Sequence, residues 1–307
     1  MSSESLMKAL FSEGLNIVEN ASAANLTTYR LGGNLRYVVT LNNGLDVAKL
    51  ARHIEGHPLN GEDVFILGNG SNIIIADDGF DGIVFKFGAK YCDVLNANES
   101  CVEVGAGMLL PKFARKITGD GYGGLEFYVG IPGSVGGAVA MNAGGHGRQT
   151  SDVLISAKVL SLKSGEIKDY LNVDCDFSYR HSRFEKTDMV ISAKYHIEEI
   201  SDAEGKNDLD SIVKWRRENQ PGGRNIGSVF QNTDSASAGS LIEKSGLKGF
   251  RIGGAFVSEK HANFIQADEG AKASDVVELI EYVRNVVKEK TGVELKNEVR
   301  YIGFKNE

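Results

Sequence analysis

The chain has 307 residues, of which 34 are basic and 41 are acidic, so its formal net charge is −7. That length predicts about two domains, and the acidic balance argues against a general nucleic-acid-binding protein. The composition, 42% hydrophobic and 24% charged, is typical of a globular protein with a core. Glycine is abundant (37 residues) and proline is scarce (4), which indicates backbone bends or close approach to a ligand rather than a disordered linker.

Several other classes are disfavoured. The N-terminal segment has no basic stretch followed by an apolar one, and no apolar run reaches the ~18 residues of a membrane span. We therefore expect a cytoplasmic protein that does not contact a membrane. Cys92, Cys101 and Cys175 lack CxxC spacing and are expected to be reduced thiols. The histidines form no HExxH pair, so no metal site is expected.

The first third of the chain alternates strand and helix patterns. Apolar runs predict strands, and a helical apolar face predicts a helix. Pro111 suits the first turn of a second helix, with Phe113, Ala114 and Ile117 on its inner face. The predicted strands are Leu35–Thr40, Val64–Leu67, Ile83–Phe87 and Cys101–Val104, and the first helix is Asp46–Ile54.

The remaining two thirds contain strands, then a polar segment, then helices. Strands are predicted at Leu154–Leu162 and Met189–Ile197, and the polar residues 201–208 predict a domain boundary. Three helices should follow, each with its own end signals. They are Leu209–Arg217, stopped before Pro221; Ser240–Lys244, capped by Gly246; and a helix with Ser274 as N-cap, Asp275 in its first turn, Val276, Ile280, Val283 and Val287 on one face, and Gly292 at its end.

Two glycine-rich segments stand out. Gly68-Asn69-Gly70-Ser71-Asn72 follows a predicted strand directly, and residues 130–147 hold seven glycines in 18 residues. Neither is a Rossmann or Walker A motif. Both could expose main-chain N–H groups to phosphate, which would suit a dinucleotide. For each segment alone, a tight turn or β-bulge is an equally good interpretation.

Seven motifs occur in the order and spacing of one enzyme family. They are Thr28-Tyr29-Arg30-Leu31-Gly32-Gly33, Leu67–Asn72, Gly130-Ile131-Pro132-Gly133-Ser134-Val135-Gly136-Gly137, Tyr179-Arg180-x-Ser182, Gly227-Ser228-Val229-Phe230, Ile252-Gly253-Gly254-Ala255 and Glu298-Val299-Arg300. From about residue 25 to 303 the chain resembles the UDP-N-acetylenolpyruvoylglucosamine reductase (UDP-N-acetylmuramate dehydrogenase, MurB) family. It is similar to the shorter type, which lacks a tyrosine-bearing insertion.

The resemblance implies an α+β protein. A two-part FAD-binding region of the vanillyl-alcohol-oxidase (PCMH) type would occupy residues 1–80 and 81–205, with the 300–307 tail possibly returning to the second part. A C-terminal α+β substrate-binding domain would occupy residues 206–299. The implied reaction is the NADPH-dependent reduction of UDP-N-acetylglucosamine enolpyruvate, through bound FAD, to UDP-N-acetylmuramate for peptidoglycan synthesis. The expected partners are these small molecules, and a monomer is expected.

The resemblance also implies catalytic roles. Ser228 matches the family's proton donor to C2, while Arg180 and Glu298 match groups that stabilise the enolate. Taken without the motifs, each residue has a plainer interpretation. Ser228 could pack or cap a loop, Arg180 could form a structural ion pair, and Glu298 could be exposed on a terminal strand.

FAD contacts are carried over by motif position. FAD is expected to be non-covalent, because Ser71 stands where related oxidases attach flavin through a histidine. The implied FAD-binding residues are Tyr29, Leu67, Gly68, Asn69, Gly70, Ser71, Asn72, Gly130, Ile131, Pro132, Gly133, Ser134, Gly137, Asn142, Gly144 and Val190.

Substrate contacts are implied for Asn232, His261 and Arg224. The basic turn of Lys214, Arg216 and Arg217 could join Arg224 at a diphosphate or simply be a solvated helix end. Three positions depart from the family pattern: Gln231 replaces a lysine, Thr233 a proline, and His146 an aromatic tyrosine.

Two alternative functions stay open at this stage. The chain could be a related FAD-dependent sugar or alcohol oxidase that uses oxygen, with the same glycine segments and a different last domain. It could also be a non-catalytic relative that only holds a nucleotide.

Overall fold

A computed structural model describes residues 3–234 and 236–304 of the chain. Helices and strands are interspersed along the described sequence. The helices are α1 Ser3–Ser12, α2 Gly44–Gly56, α3 Leu110–Gly119, α4 Val135–Met141, α5 Asp202–Asn219, α6 Ala238–Lys244 and α7 Ala273–Thr291. The strands are β1 Asn16–Ser22, β2 Asn34–Leu41, β3 Val64–Leu67, β4 Ile73–Ile75, β5 Phe80–Phe87, β6 Val94–Ala97, β7 Cys101–Gly105, β8 Tyr122–Gly123, β9 Gly144–Gly145, β10 Arg148–Gln149, β11 Leu154–Ser161, β12 Ile167–Leu171, β13 Asp188–His196, β14 Glu198–Glu199, β15 Arg251–Ile252, β16 Ala255–Val257, β17 Ile265–Ala267 and β18 Arg300–Ile302.

The chain forms two compact units, each from several segments. Unit 1 comprises Met1–Ala21, Arg36–Asn69 and Asp81–Lys214. Unit 2 comprises Ser22–Leu35, Gly70–Phe80 and Trp215–Glu307. Residues 22–35 and 70–80 are thus grouped with the C-terminal residues.

Unit 1 contains the two larger sheets. One is four-stranded, in the order β1-β2-β5-β3, and β3 runs parallel to β5. The other is five-stranded, in the order β12-β11-β13-β7-β6, with antiparallel neighbours. Strand β13 lies at its centre, and its Met189–Ala193 residues are all buried, as expected for a strand covered on both faces.

Unit 2 is built around α7 and short strands. Strands β15, β16 and β17 form an antiparallel sheet, while β18 pairs in parallel with β4. The buried face of α7 carries Val276, Ile280, Val283 and Val287, as the sequence predicts. The pairing of β18 with Ile73–Ile75 returns the tail to a segment that we assigned to the first FAD-binding part, not the second. Residues 305–307 of that tail lie outside the described residues.

Most predicted elements are confirmed. The eight strands and helices predicted before residue 200 all occur, within a few residues of the expected bounds. Gly246 and Gly292 have positive φ (74° and 73°) just after helices α6 and α7, as expected for helix ends.

Two local predictions are wrong. The helix expected to begin at Leu209 begins earlier, because residues 202–208 of the polar segment form the first two turns of α5. The helix packs there without large apolar side chains, because Gly205 is buried and a Cβ on it would lie 2.4 Å from Thr118 Cγ2. Ser274 is not the N-cap of α7; that position is Lys272, and the Asp77 carboxylate accepts the N–H groups of Ala273 and Ser274.

The α+β fold class is confirmed. Sheets and helices occur in both units, and the parallel pairs β3–β5 and β4–β18 are only four and three residues long. This arrangement places the residues after β3 and the residues before β18 at strand ends, where side chains and main-chain groups are available to a ligand.

Candidate active site

In unit 1 the two glycine-rich segments touch. Strand β3 ends at Leu67, and Asn69 Nδ2 donates a hydrogen bond of 2.6 Å to the carbonyl of Pro132. A Cβ on Gly68 would lie 2.3 Å from Ser134 Oγ. A side chain at position 68 would therefore force the Ser134 hydroxyl to move, and the structure brings these predicted residues together.

Ser134 presents a buried hydroxyl that does not cap a helix. It precedes α4 as N-cap and is only 3% exposed, yet its side chain makes no capping hydrogen bond. A Cβ on Gly137 would lie 3.5 Å from the same hydroxyl. A serine at an N-cap ordinarily bonds to the N–H groups of the first turn. The Ser134 hydroxyl makes no capping bond, and the neighbouring glycines leave space beside it. Such a site can accommodate a phosphate of FAD.

The end of the second glycine segment is fixed by Asn142. This residue is fully buried with a left-handed φ of 45°. Its Nδ2 donates to the carbonyl of Ser178 at 2.9 Å, and its Oδ1 accepts the Ser151 N–H at 2.9 Å. The amide therefore ties the glycine segment to the residues just before Arg180.

Arg180 is held beside this segment. Its Nη2 donates to the carbonyl of Gly144 at 3.0 Å, and its guanidinium lies 5.0 Å from the centre of the Tyr179 ring. The backbone of Arg180 is left-handed, with φ 56°, a conformation that non-glycine residues rarely adopt. Such outliers occur at functional sites more often than elsewhere.

In unit 2, Ser228 and Glu298 lie on neighbouring main-chain segments. The N–H of Glu298 donates to the carbonyl of Val229 at 2.8 Å, and Phe230 forms an antiparallel bridge with Asn297. On the other side, Ser228 forms an antiparallel bridge with Phe264. The serine therefore lies in a strand-like segment that is paired along both edges, and the glutamate is on one of its neighbours.

The end of the first glycine segment reaches the same place in unit 2. Asn72 Nδ2 donates to the carbonyl of Glu298 at 3.1 Å, and the N–H of Arg300 donates to the carbonyl of Asn72 at 3.1 Å. Gly70 has φ 61°, and a Cβ there would lie 2.4 Å from the Leu26 carbonyl oxygen. Unit 2 thus joins Ser228, Glu298 and the end of this segment.

Tyr29 lies in the core of unit 2. It is 1% exposed within the core of unit 2, and its hydroxyl donates to the carbonyl of Ile265 at 2.8 Å. Burial raises the pKa of this phenol well above its ordinary value. The side chain is a core group, so any contact of this residue with FAD would fall to its main chain.

The residues predicted to bind substrate have local partners in unit 2. Asn232 is exposed, and its Oδ1 accepts the N–H of Ala238 at the start of α6 at 3.1 Å. Arg224 lies 3.6 Å from the Glu269 carboxylate. The His261 ring packs on Phe264 with centroids 4.8 Å apart, and burial lowers the pKa of its imidazole.

The basic turn at the end of α5 is only partly solvated. Arg216 Nε donates to Gln220 Oε1 at 2.9 Å, and burial lowers the pKa of its guanidinium. The carbonyl of Arg217 accepts a hydrogen bond from the Lys260 ammonium. A role of this turn at a diphosphate stays a prediction.

The remaining positions have simple local environments. Val190 is buried in β13, and a Cβ on Gly136 would lie 3.6 Å from its carbonyl oxygen. The His146 ring would be 3.0 Å from a Cβ on Gly130, so the imidazole fills the space beside that glycine. Thr233 uses its N–H, which a proline would lack, to bond the carbonyl of Ala236 at 3.1 Å.

One polar residue at this place was not predicted. Asn263 is 3% exposed and bonds through its side chain to the main chain of Phe230. The available signal was a lone amide in the apolar run Ala262–Ile265, since a buried polar group needs a hydrogen-bond partner.

Among residues 3–234 and 236–304 no helix combines the length and hydropathy needed to cross a bilayer. Within the same residues no three His, Cys, Asp or Glu side chains are grouped to hold a metal ion.

Comparisons with known proteins match both parts of the chain. Residues 35–170 match the family model of an FAD-binding domain, and residues 219–302 match the model of the C-terminal domain of UDP-N-acetylenolpyruvoylglucosamine reductase. The chain is thus a flavoprotein of the FAD-binding-domain class with a reductase-type C-terminal domain.

Relatives that match almost the whole chain identify the family within this class. The chain is 36% identical to the UDP-N-acetylenolpyruvoylglucosamine reductase of Bacillus pumilus, covering 94% of this chain and 95% of the relative. It is 37% identical to the Bacillus subtilis reductase, with 94% of each chain covered. The crystal structure of the Thermus caldophilus reductase matches with a TM-score of 0.79 at 30% identity, covering 94% of this chain and 98% of that chain. The chain belongs to the UDP-N-acetylenolpyruvoylglucosamine reductase family.

Proposed function

We propose that this protein reduces UDP-N-acetylglucosamine enolpyruvate to UDP-N-acetylmuramate with NADPH, as a step in peptidoglycan precursor synthesis. Bound FAD, held by the two glycine-rich segments, would supply hydride transfer from NADPH to C3 of the enolpyruvyl group. The double bond also gains one proton at C2, so the net donors are NADPH and one proton. Family membership and the pairing of the Ser228 and Glu298 segments in unit 2 support this proposal.

Ser228 is proposed to give the proton to C2. A serine hydroxyl is a weak acid, so its position must be fixed and its alkoxide must be stabilised or reprotonated quickly. The paired edges of the Ser228 segment meet the first requirement, because they leave its backbone little freedom.

Arg180 and Glu298 are proposed to stabilise the enolate that forms as hydride arrives. The planar guanidinium of Arg180 can hold a carboxylate through two N–H groups. The N–H of Glu298 itself bonds to the carbonyl of Val229, so the main chain that carries its carboxyl group is joined to the Ser228 segment. Protonated, it could hydrogen-bond the carboxylate of the enol.

The FAD phosphates are proposed to bind Gly68, Asn69, Gly133 and Ser134, with the other motif positions named above around them. Ser134 carries this proposal, because it is buried without capping its helix. Asn142 and Arg180 would orient the end of the second glycine segment. FAD is proposed to be non-covalent, with Ser71 in the place of an attaching histidine.

Asn232, His261 and Arg224 are proposed to contact the substrate. Residues 1–80 and 81–205 are proposed to bind FAD, and residues 206–299 are proposed to bind the substrate. The protein is proposed to act as a cytoplasmic monomer, which size-exclusion chromatography with light scattering would test.

The decisive experiment separates the two half-reactions. Purified protein is mixed anaerobically with NADPH, then with UDP-N-acetylglucosamine enolpyruvate, while flavin absorbance is followed. Bleaching followed by recovery is the expected result. Bleaching without recovery on the enolpyruvyl sugar, but with fast recovery in air, would instead favour an oxidase. Protein that purifies without flavin and cannot be loaded would favour a non-catalytic relative.

A further inference from the structure

Asn263 makes two hydrogen bonds to a single residue of the neighbouring segment. Its Oδ1 accepts the N–H of Phe230 at 3.0 Å, and its Nδ2 donates to the carbonyl of Phe230 at 2.8 Å. The amide is thus paired with one main-chain residue in the way that two strand residues pair. Asn263 is 3% exposed and Phe230 is 1% exposed, so water does not compete for these groups.

The side chain is needed because the main chain departs from the ladder at this point. The carbonyl of Asn263 accepts the N–H of Val229 at 2.9 Å, and Ser228 bridges to Phe264. The preceding residues turn away, since the N–H of Phe264 also bonds back to the carbonyl of His261 at 3.0 Å. Without the Asn263 amide, the N–H and carbonyl of Phe230 would face an apolar interior on this side.

The other edge of the same segment carries Glu298. Phe230 bridges to Asn297, and the carbonyl of Val229 accepts the N–H of Glu298 at 2.8 Å. A shift of residues 228–230 would therefore move both the serine hydroxyl and the segment that carries the glutamate. The buried Asn263 amide bonds Phe230, which lies in the segment that carries Ser228 and pairs with the Glu298 segment.

We infer that Asn263 is a positioning residue for proton delivery by Ser228, and the inference rests on the proposed function. A short side chain such as serine has one rotatable bond to its oxygen, so errors in backbone position pass directly to the hydroxyl. Misplacement of a reacting group by about 1 Å can slow a step by about 100-fold. Asn263 prevents that misplacement through Phe230.

The test uses Asn263→Asp and Asn263→Ala in the full chain with FAD bound. Asn263→Asp keeps the size and the acceptor but loses the donor to the Phe230 carbonyl. We expect NADPH to bleach the flavin at the wild-type rate per bound flavin. Recovery on the enolpyruvyl sugar should slow about 10- to 100-fold in both variants. The D2O isotope effect on recovery should rise, because proton transfer becomes limiting.

A second readout does not depend on activity. Hydrogen exchange of the peptide spanning residues 226–231 should accelerate about tenfold or more in Asn263→Ala, because Phe230 loses its acceptor. Exchange of α6 should be unchanged. Ser245→Ala serves as the matched control, since Ser245 is also buried in unit 2 and bonds a carbonyl, that of Leu241 at 2.8 Å.

The outcomes separate the two proposals. If wild-type flavin does not recover on the enolpyruvyl sugar, the proposed function fails. If wild type recovers, and both Asn263 variants recover at its rate with its isotope effect, the positioning role is wrong. A second outcome would also overturn the positioning role. In it, Ser245→Ala and the Asn263 variants lose FAD or folding to the same degree, and flavin recovery per bound flavin is normal in all of them, which would show a purely structural role.

Discussion

Arg180 in unit 1 and Ser228 in unit 2, two of the three candidate catalytic residues, are held in different ways. Arg180 lies in a turn with φ 56°, and its own guanidinium reaches back to the carbonyl of Gly144. Ser228 lies in a segment whose main chain is paired along both edges. A long side chain can be placed by its own contacts, but a short one depends on its backbone.

This difference predicts how each residue responds to change. A conservative replacement of Arg180 can partly restore its charge from a shifted position. The short side chain at position 228 cannot compensate for a displaced backbone. Removal of its hydroxyl and displacement of its segment should therefore both slow the recovery of reduced flavin on the enolpyruvyl sugar. The following experiments test this contrast.

Ser228→Ala should have the largest effect. Loss of a general acid reduces a rate by about 10²- to 10⁴-fold, so recovery of reduced flavin on the enolpyruvyl sugar should slow by that factor. Bleaching by NADPH should be unchanged in stopped-flow absorbance. Ser240→Ala is the control, because that hydroxyl is in α6 and bonds only locally, to the carbonyl of Ser237. Recovery at the wild-type rate in Ser228→Ala would exclude the proton-donor role.

Arg180→Gln should have the next largest effect. Hydrogen bonds to charged groups contribute about 1.5–3 kcal/mol, which corresponds to about 10- to 150-fold in rate or affinity. Arg180→Lys should recover part of that loss, measured as kcat/KM for the enolpyruvyl sugar. Equal losses in the lysine and glutamine variants would show that the charge at this position is not used.

Gly68→Ala should weaken unit 1 and FAD retention. The added methyl group would lie 2.3 Å from Ser134 Oγ, and such overpacking costs about 1–3 kcal/mol. Calorimetry should show a lower Tm and the yellow colour should wash out more readily. Gly56→Ala, which meets nothing within 4 Å, should change neither. A Gly68→Ala protein with wild-type Tm and flavin content would contradict the close contact of the two segments.

The smallest effect concerns acid stability. Burial lowers the pKa of His261 from its ordinary value of 6.5, so the folded state binds fewer protons than the unfolded state below that pH. This contribution therefore leaves stability constant above about pH 6.5 and reduces it as the pH falls toward the lowered folded pKa. His261→Gln should flatten that decline in urea midpoints measured at pH 7.5 and 5.5. An unchanged slope would show that the imidazole protonates freely in the folded protein.

The sequence predicted regular elements well and contacts between distant segments less well. Strand β3 and the helix at Pro111 follow from apolar spacing alone. The first turns of α5 did not, because Gly205 packs by having no side chain, which hydropathy does not detect.

The site shows the same limit. Motif order singled out Ser228, Arg180 and Glu298 as catalytic candidates, because each of them lies in a short sequence motif. The burial of Tyr29 and the bonds of Asn263 depend on partners more than 30 residues away, which no local pattern specifies. Long-range hydrogen bonds of this kind become visible only in the folded chain.

The bond between Asn72 and the carbonyl of Glu298 joins residues separated by 226 positions. Contacts of such high sequence separation form late and slowly. During synthesis, unit 2 cannot close around Ser228 until almost the whole chain has left the ribosome, whereas most of unit 1 is available much earlier. Nascent chains should therefore pass through a state in which the FAD-binding segments of unit 1 are folded while the Ser228 segment is still exposed to chaperones and proteases.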